Sequence, residues 1–326
     1  MKKVISSVVL LFLCTVCLSA QNYTLRIHGG VTDGALKQKM EQGISALLTE
    51  ISQAKTADRP LSLQKIKMTE NAKASLNRLW DSYHFQCNYE ENVERCLTDV
   101  NGYEIRNIPI TLQPMGSGYT GEKEKELTVS LTRDGIISGV HMALSNNAFH
   151  NVVNKGLDVT DTRRRLEILN FVESFRSYYD EKDIASLQQV YSDDALIITG
   201  RVIQRRTYQN DQATLKPEIV YSKKNKEQYL KSLENTFRRN KFIKVTFDSI
   251  QVVRHPAKPN FYGVTLHQNW KSSSYQDDGY VFLLWEFKDE NDEHPIVHVR
   301  TWQPDRIGSK PLAQKEIFTI DDFFIP

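Results

Sequence analysis

Four runs near the end of the chain, 241–254, 261–271, 279–288 and 295–302, alternate apolar and polar residues at the spacing of β-strands. Short breaks separate them, so they predict an antiparallel meander. Val281, Leu283, Trp285 and Phe287 make one wholly apolar face. Ile243, Val245 and Phe247 make another, opposite Lys244 and Thr246. A sheet with one such face must bury it under helices. Three helices are predicted just upstream. One is capped by Thr160, Asp161 or Thr162, runs to about Tyr179 and carries the stripe Leu166, Leu169, Val172 and Phe175. A short one follows in "KDIASLQQVY". The third, 225–239, lines up Leu230, Leu233 and Phe237. "DDALIITGRVI" reads as a strand and is followed by a polar insertion. The layout is α+β.

The first half repeats this grammar less clearly. Residues 35–53 place Leu36, Met40, Ile44, Leu47, Leu48 and Ile51 at helical spacing, and Thr69 opens a second helix over 70–81. Strands are predicted at 83–88, 103–113, 126–132 and 136–144, the last two joined by the hairpin signal Arg133-Asp134-Gly135. Periodicity is lost over 145–160. The expected division is therefore an N-terminal α+β domain at 21–150, a linker at 151–160 and a second domain at 161–326. Ser75, Leu76, Trp80 and Phe85 lie 157 positions before Ser232, Leu233, Phe237 and Phe242, so the first domain reads as a diverged copy with fewer strands.

The chain begins "MKKVISSVVLLFLCTVCLSAQ": a basic start, a short apolar stretch and small residues ending at Ala20. This is the pattern of a secretory signal peptide cleaved after Ala20, and it predicts export to the periplasm or outer envelope. Cleavage removes Lys2 and Lys3. Lys+Arg then equals Asp+Glu at 40 each, which gives no global case for nucleic acid as a partner. It also removes Cys14 and Cys17, leaving Cys87 and Cys96. An exported compartment permits a bridge between these two, contributing about 2–3 kcal/mol; the alternative is two buried free thiols.

"HPIVHVRTWQP", residues 294–304, poses the functional question. Strict alternation points Ile296, His298, Arg300 and Trp302 one way and Val297, Val299 and Thr301 the other. His298, Arg300 and Trp302 either line a pocket or sit on an outer face that meets a partner; the valines match the helix-facing sets, which favours the outer side, near Lys244. Trp and Arg are enriched at interface hot spots. With Trp270 and Tyr280 they form the expected binding or interface residues. The acid/base candidates are Asp193, Asp194, Tyr178, Tyr179, His298 and Arg300. "GSGYTG" at 116–121 spaces its glycines like a dinucleotide loop but precedes a charged run into a strand rather than a helix, and reads as a hairpin loop. His294 and His298 are too far apart in extended chain to share an ion easily. No metal or cofactor is expected.

The stretch "ILNFVESFRSYYDEKDIASLQQVYSDDALIITG" (168–200), the helix at 225–239 and the four closing strands resemble the nuclear transport factor 2-like superfamily, over about 161–303. The leader and "HVRTWQPD" resemble a group of bacterial envelope proteins of Bacteroidetes. The first resemblance implies a cone, a curved antiparallel sheet wrapped round helices, with a pocket at its open end and a convex sheet face that often forms a dimer interface. It does not imply catalysis, because such folds host enzymes, binding modules and dimerisation domains alike. The expected function is an exported, non-catalytic binding or scaffold protein. Its partner would be another protein or a small apolar ligand, with homodimer or inter-domain packing through the sheet. One alternative is an isomerase- or dehydratase-type enzyme using Asp194 or His298. The other is a structural subunit of an envelope assembly.

Overall fold

In the computed structural model, residues 22–98, 102–115, 123–143, 162–209, 212–289 and 295–325 are described. The leader, the 116–121 glycine loop, the 151–160 linker and His294 lie outside them.

The first half comprises β1 (Thr24–Ile27), α1 (Gly34–Thr56), α2 (Glu70–Ser82), β2 (Tyr83–Cys87), β3 (Glu91–Glu94), β4 (Cys96–Thr98), β5 (Gly102–Pro114), β6 (Glu124–Thr132) and β7 (Ile137–Met142). Asp33 caps α1 by accepting from the N–H groups of Ala35 and Leu36, and Thr69 caps α2 by accepting from Ala72 N–H. The predicted stripe of α1 is buried from Met40 to Ile51. The sheet runs β2-β5-β6-β7 with β4 also paired to β5, and the Asp134-Gly135 turn joins β6 to β7. Gly135 takes φ +76°, where Leu36 and Met40 leave no room for a Cβ.

The second half comprises α3 (Thr162–Asp180), α4 (Ile184–Val190), β8 (Tyr191–Gln209), β9 (Gln212–Lys224), α5 (Lys226–Arg239), β10 (Ile243–Arg254), β11 (Phe261–Ser272), β12 (Gln276–Glu286) and β13 (Ile296–Pro304). Its curled sheet runs β10-β11-β12-β13-β8-β9, antiparallel except where β13 meets β8. α3 and α5 fill its concave side. Leu169, Val172, Phe175, Leu230, Leu233 and Phe237 pack there against the predicted apolar sheet faces, including Val245, Phe247, Leu283 and Trp285. The side chain of Leu166 is outside the described set. Asn225 and Gln228 form a reciprocal capping box at the start of α5.

The polar insertion after "IITGRVI" is β9, the second strand of a long hairpin with β8. Alternation gave no sign of it because exposed polar side chains such as Arg205, Arg206, Thr214 and Lys216 leave no apolar face. The two halves share one design: α2 runs directly into β2 and the meander β5-β6-β7, as α5 runs into β10 to β13. Trp80 and Phe85 in one half, and Phe237 and Phe242 in the other, are buried at those corners.

Cys87 and Cys96 do not pair; both thiols are free and buried. Cys87 stands opposite Ile110 of β5 and Cys96 opposite Ile105. Five residues of extended chain separate those positions by roughly 15 Å, far beyond disulfide reach. Burial pushes the thiols up to about 12 and about 11.

The halves meet through a buried polar layer. Arg106 of β5 is bidentate to Glu173 of α3, and the guanidinium of Arg176 donates to the Met142 and Ala143 carbonyls. Lys244 was expected on the open outer side. It is buried instead, 2.9 Å from Asp180. Tyr83 hydroxyl donates to the Ile243 carbonyl at 2.6 Å.

Glu181 accepts from Ser75 in this layer, and burial pushes its carboxyl up to about 8. A raised folded pKa favours the protonated form. That contribution is complete below the unfolded range near 4.3 and is lost as pH rises through about 8. Glu181→Gln, neutral at every pH, should remove this pH-dependent loss; denaturant titrations at pH 5 and pH 9 check it.

The chain ends in β14 (Arg306–Ile307), β15 (Lys310–Pro311) and two 3₁₀ turns, Gln314–Glu316 and Ile320–Asp322. This tail lies on the outer side of the sheet. Ile320 and Ile325 are buried with Phe282, Leu284 and Val299, and Phe318 and Phe323 pack against them. Gln303 ties it down, donating to Glu316 O and accepting from Phe318 N, each at 2.8 Å.

Candidate functional site

The strand that opened the functional question does not alternate strictly. Val297 stands opposite Trp285, whereas Val299 stands opposite Leu284, and the pairing with β8 slips at the same place. His298 is the extra residue of a β-bulge. Val297 joins the cone core and Val299 the cluster under the tail. Beyond the bulge the phase is reversed. Arg300 stands opposite Leu283 and Trp302 opposite Val281, both partners in the cone core. The expected common outer face of His298, Arg300 and Trp302 is therefore corrected: Arg300 and Trp302 face the inside of the cone, while His298 faces the tail.

The inward pair lines a cavity of about 300 Å³ at the mouth of the cone. β8 and β9 supply Thr199 and Lys224. α5 supplies Tyr229, Ser232, Leu233 and Thr236. β11 supplies Gln268 and Trp270, and Tyr275 and Asp277 close the rim. Behind it the hydroxyl of Tyr179 is 3.0 Å from that of Tyr191 and 2.9 Å from that of Tyr229. Arg300 is 5% exposed, and its guanidinium carbon lies 5.4 Å from the centre of the Tyr229 ring. Burial works against its charge, while Tyr229, Tyr179 and Tyr191 (through the charge each carries only once ionised) and a hydrogen bond with Tyr179 raise its pKa. Among the described residues no carboxylate comes within 4.0 Å of it. Among the described residues, three members of this lining each carry a buried polar atom with no hydrogen-bond partner: Arg300 Nε, Trp302 Nε1 and Asp277 Oδ1. Burial pushes the Asp277 carboxyl up to about 6, against the hydrogen bond from Tyr275 and the positive charge of Arg300.

The other expected site residues scatter. Trp270 lines the cavity, and Tyr280 lies away from its lining, against His267 at 5.3 Å between ring centres. Asp194 is exposed and held by Ser192, so its carboxyl falls below its ordinary value rather than rising as a buried base would. It does not enter the cone. His298 Nε2 is 2.8 Å from Glu286 and its Nδ1 4.0 Å from Asp194. These three border a second groove of about 850 Å³ between the outer sheet face and the tail. Asp193 pairs with Lys226 at the start of α5. Among the described residues no group of three His, Cys, Asp or Glu side chains is placed to hold a metal ion. Asp277 escaped the sequence reading. Its signal was an acidic pair, Asp277-Asp278, entering the strongly apolar strand "YVFLLW".

No family model matches the chain, and no curated protein matches it. Solved structures do match, each over part of the chain. A nuclear transport factor 2-like protein of unknown function from Pseudomonas putida is 14% identical over 47% of this chain and 96% of its own, with a TM-score of 0.33. A candidate ketosteroid isomerase from Shewanella frigidimarina is 11% identical over 42% of this chain and 94% of its own, TM-score 0.28. A candidate dehydratase of the same fold from Streptomyces avermitilis is 9% identical over 43% and 94%, TM-score 0.30. The curled antiparallel sheet packed on helices is itself the expected cone.

Proposed function

We propose that the chain is an exported binding protein whose second-half cone holds a small organic anion, with Arg300 as the anchor. The observation that carries this is Arg300 itself, a buried cation in the cavity lining with tyrosine hydroxyls around it and, among the described residues, no carboxylate within 4.0 Å. Buried charges are ordinarily paired, and a ligand carboxylate would supply the missing partner. The approach is basic as well. Lys224 lines the mouth, and strand alternation carries the Thr199 face on to Arg201, with Arg205 beyond it paired to Glu218 at 2.9 Å. Such a path raises the local concentration of anions. The cavity size fits a small molecule rather than a peptide.

The catalytic alternative passes from Asp194 and His298, which lie outside the cone, to Asp277, the carboxyl in the cavity lining. With its pKa near 6 it would suit proton transfer near neutral pH. Nothing else in the lining supplies a second acid or base in that range, so binding is the better supported reading.

Calorimetric titration of the full chain with phenylacetate and with phenylacetamide tests it. The acid should bind more tightly than the amide. Arg300→Gln should weaken the acid by roughly 10–100-fold, the range of a charged hydrogen bond, with little effect on the amide. Equal binding of acid and amide would sink the reading.

A further inference from the structure

We infer that the cone's ligand is a small zwitterion with an aromatic or apolar body, of the α-amino acid class, its carboxylate held by Arg300 and Trp302 and its ammonium by Asp277. This rests on the anion-binding reading above and deepens it. The three unpartnered atoms are not of one kind. Arg300 Nε and Trp302 Nε1 can only donate, while Asp277 Oδ1 in its ionised form can only accept. Buried polar groups without partners are rare in folded proteins. Of the ten such atoms among the described residues, these three belong to residues that line one cavity. Arg300 and Asp277 feel each other's charge yet do not form an ion pair, so neither satisfies the other. A ligand placed between them must present an anion to one end and a donor to the other.

Simpler ligands each leave a cost. A plain anion meets the Asp277 carboxylate, a plain cation meets Arg300, and a neutral apolar molecule leaves all three atoms unpaired. A zwitterion meets both charges with the opposite sign. The walls suit the rest of such a molecule. Trp270 is the cross-strand partner of Asp277, so an indole flanks the place where the ammonium would sit. Aromatic faces attract ammonium groups. Leu233, Tyr229 and Trp302 offer apolar surface for a side chain. The volume of about 300 Å³ limits the body to a single small ring or branched chain.

The acidic end also sets a pH dependence. The groups bearing on Asp277 are Tyr275, which hydrogen-bonds to it, its neighbour Asp278 and Arg300; Lys224 and Tyr229 share the cavity lining. Together they leave the carboxyl ionised above about pH 6 and protonated below it. Zwitterion affinity should therefore be complete at pH 7.5 and decline as the pH falls through 6. A plain anion should do the reverse.

Three probes separate these cases by calorimetry on the full chain: L-phenylalanine, 3-phenylpropionate, which lacks the ammonium, and phenethylamine, which lacks the carboxylate. At pH 7.5 L-phenylalanine should bind about 10-fold or more tighter than either. Moving to pH 5 should weaken it about 10-fold, the effect of protonating one group with a pKa near 6, and leave 3-phenylpropionate unchanged or tighter. Asp277→Asn should give the pH 5 affinity at both pH values. If 3-phenylpropionate binds as well as L-phenylalanine and Asp277→Asn changes nothing, the zwitterion is overturned. In that case loss of 3-phenylpropionate binding in Arg300→Gln would keep the anion reading. Binding of none of the three overturns both.

Discussion

Arg106→Met should destabilise the chain by about 3–5 kcal/mol, the loss expected when one partner of a buried ion pair is removed. Glu173 is 0% exposed and takes both guanidinium nitrogens of Arg106, with His141 Nε2 3.4 Å away. Burial alone would raise its carboxyl, but the approach of His141 and the charge and hydrogen bonds of Arg106 bring it down to about 2. A depressed folded pKa contributes stability that is fully present above the unfolded range near 4.3 and is lost as the pH falls towards 2. Arg106→Met should abolish most of that acid dependence. The double variant Arg106→Met with Glu173→Met should recover only part of the loss, because Arg106 also holds a second buried carboxylate, Glu104, at 2.8 Å, and the double variant leaves that one unpaired. Denaturant unfolding of the parent, the two single variants Arg106→Met and Glu173→Met and the double variant, followed between pH 7 and pH 3, measures both effects. A single variant as stable as the parent would show that the halves do not dock through this pair.

Ending the chain at Pro311 should cost on the order of 5 kcal/mol and make the protein associate. Ile320 and Ile325 of the tail are buried against Phe282, Leu284 and Val299 of the sheet. Each such side chain contributes about 1.5–3 kcal/mol when taken from water, offset in part by the entropy of ordering the tail. Removal leaves an apolar strip on a β-sheet, a surface that seeks another copy. Thermal unfolding should fall, and sizing at matched concentrations should show larger species than the intact chain gives. Phe324→Ser is the control: at 92% exposure its ring should matter little to either measurement. An unchanged melting point and elution volume after truncation would count against the tail as a cover.

The tail and the bulge change what Trp302 reports. On strict alternation Trp302 belonged to an outer interface, and Trp302→Ala would weaken docking or association. In the structure it packs on the cone core and borders the cavity, so the substitution bears on ligand binding.

The elements themselves were legible. The helices around Met40 to Ile51 and Leu230 to Phe237 announce themselves by periodicity, and the helix at 70–81 by its cap at Thr69, because side-chain spacing and backbone capping are local properties. The apolar faces of β10 and β12 were legible for the same reason, as was the order of elements that makes the second half a cone. Register was not. One extra residue at His298 reverses the phase of everything after it, since side chains repeat every second residue and a slip of one exchanges the faces. That slip alone sends Arg300 and Trp302 inward and leaves His298 outside. The separation of Cys87 and Cys96 was settled likewise by where each strand meets β5. β9 was invisible because a ribbon exposed on both faces carries no apolar alternation. The site depends on all of this: Arg300 comes from β13, Tyr229 from α5 and Asp277 from the start of β12. Periodicity along each segment determined the pieces; only the pairing between distant segments decided which side chains share a cavity.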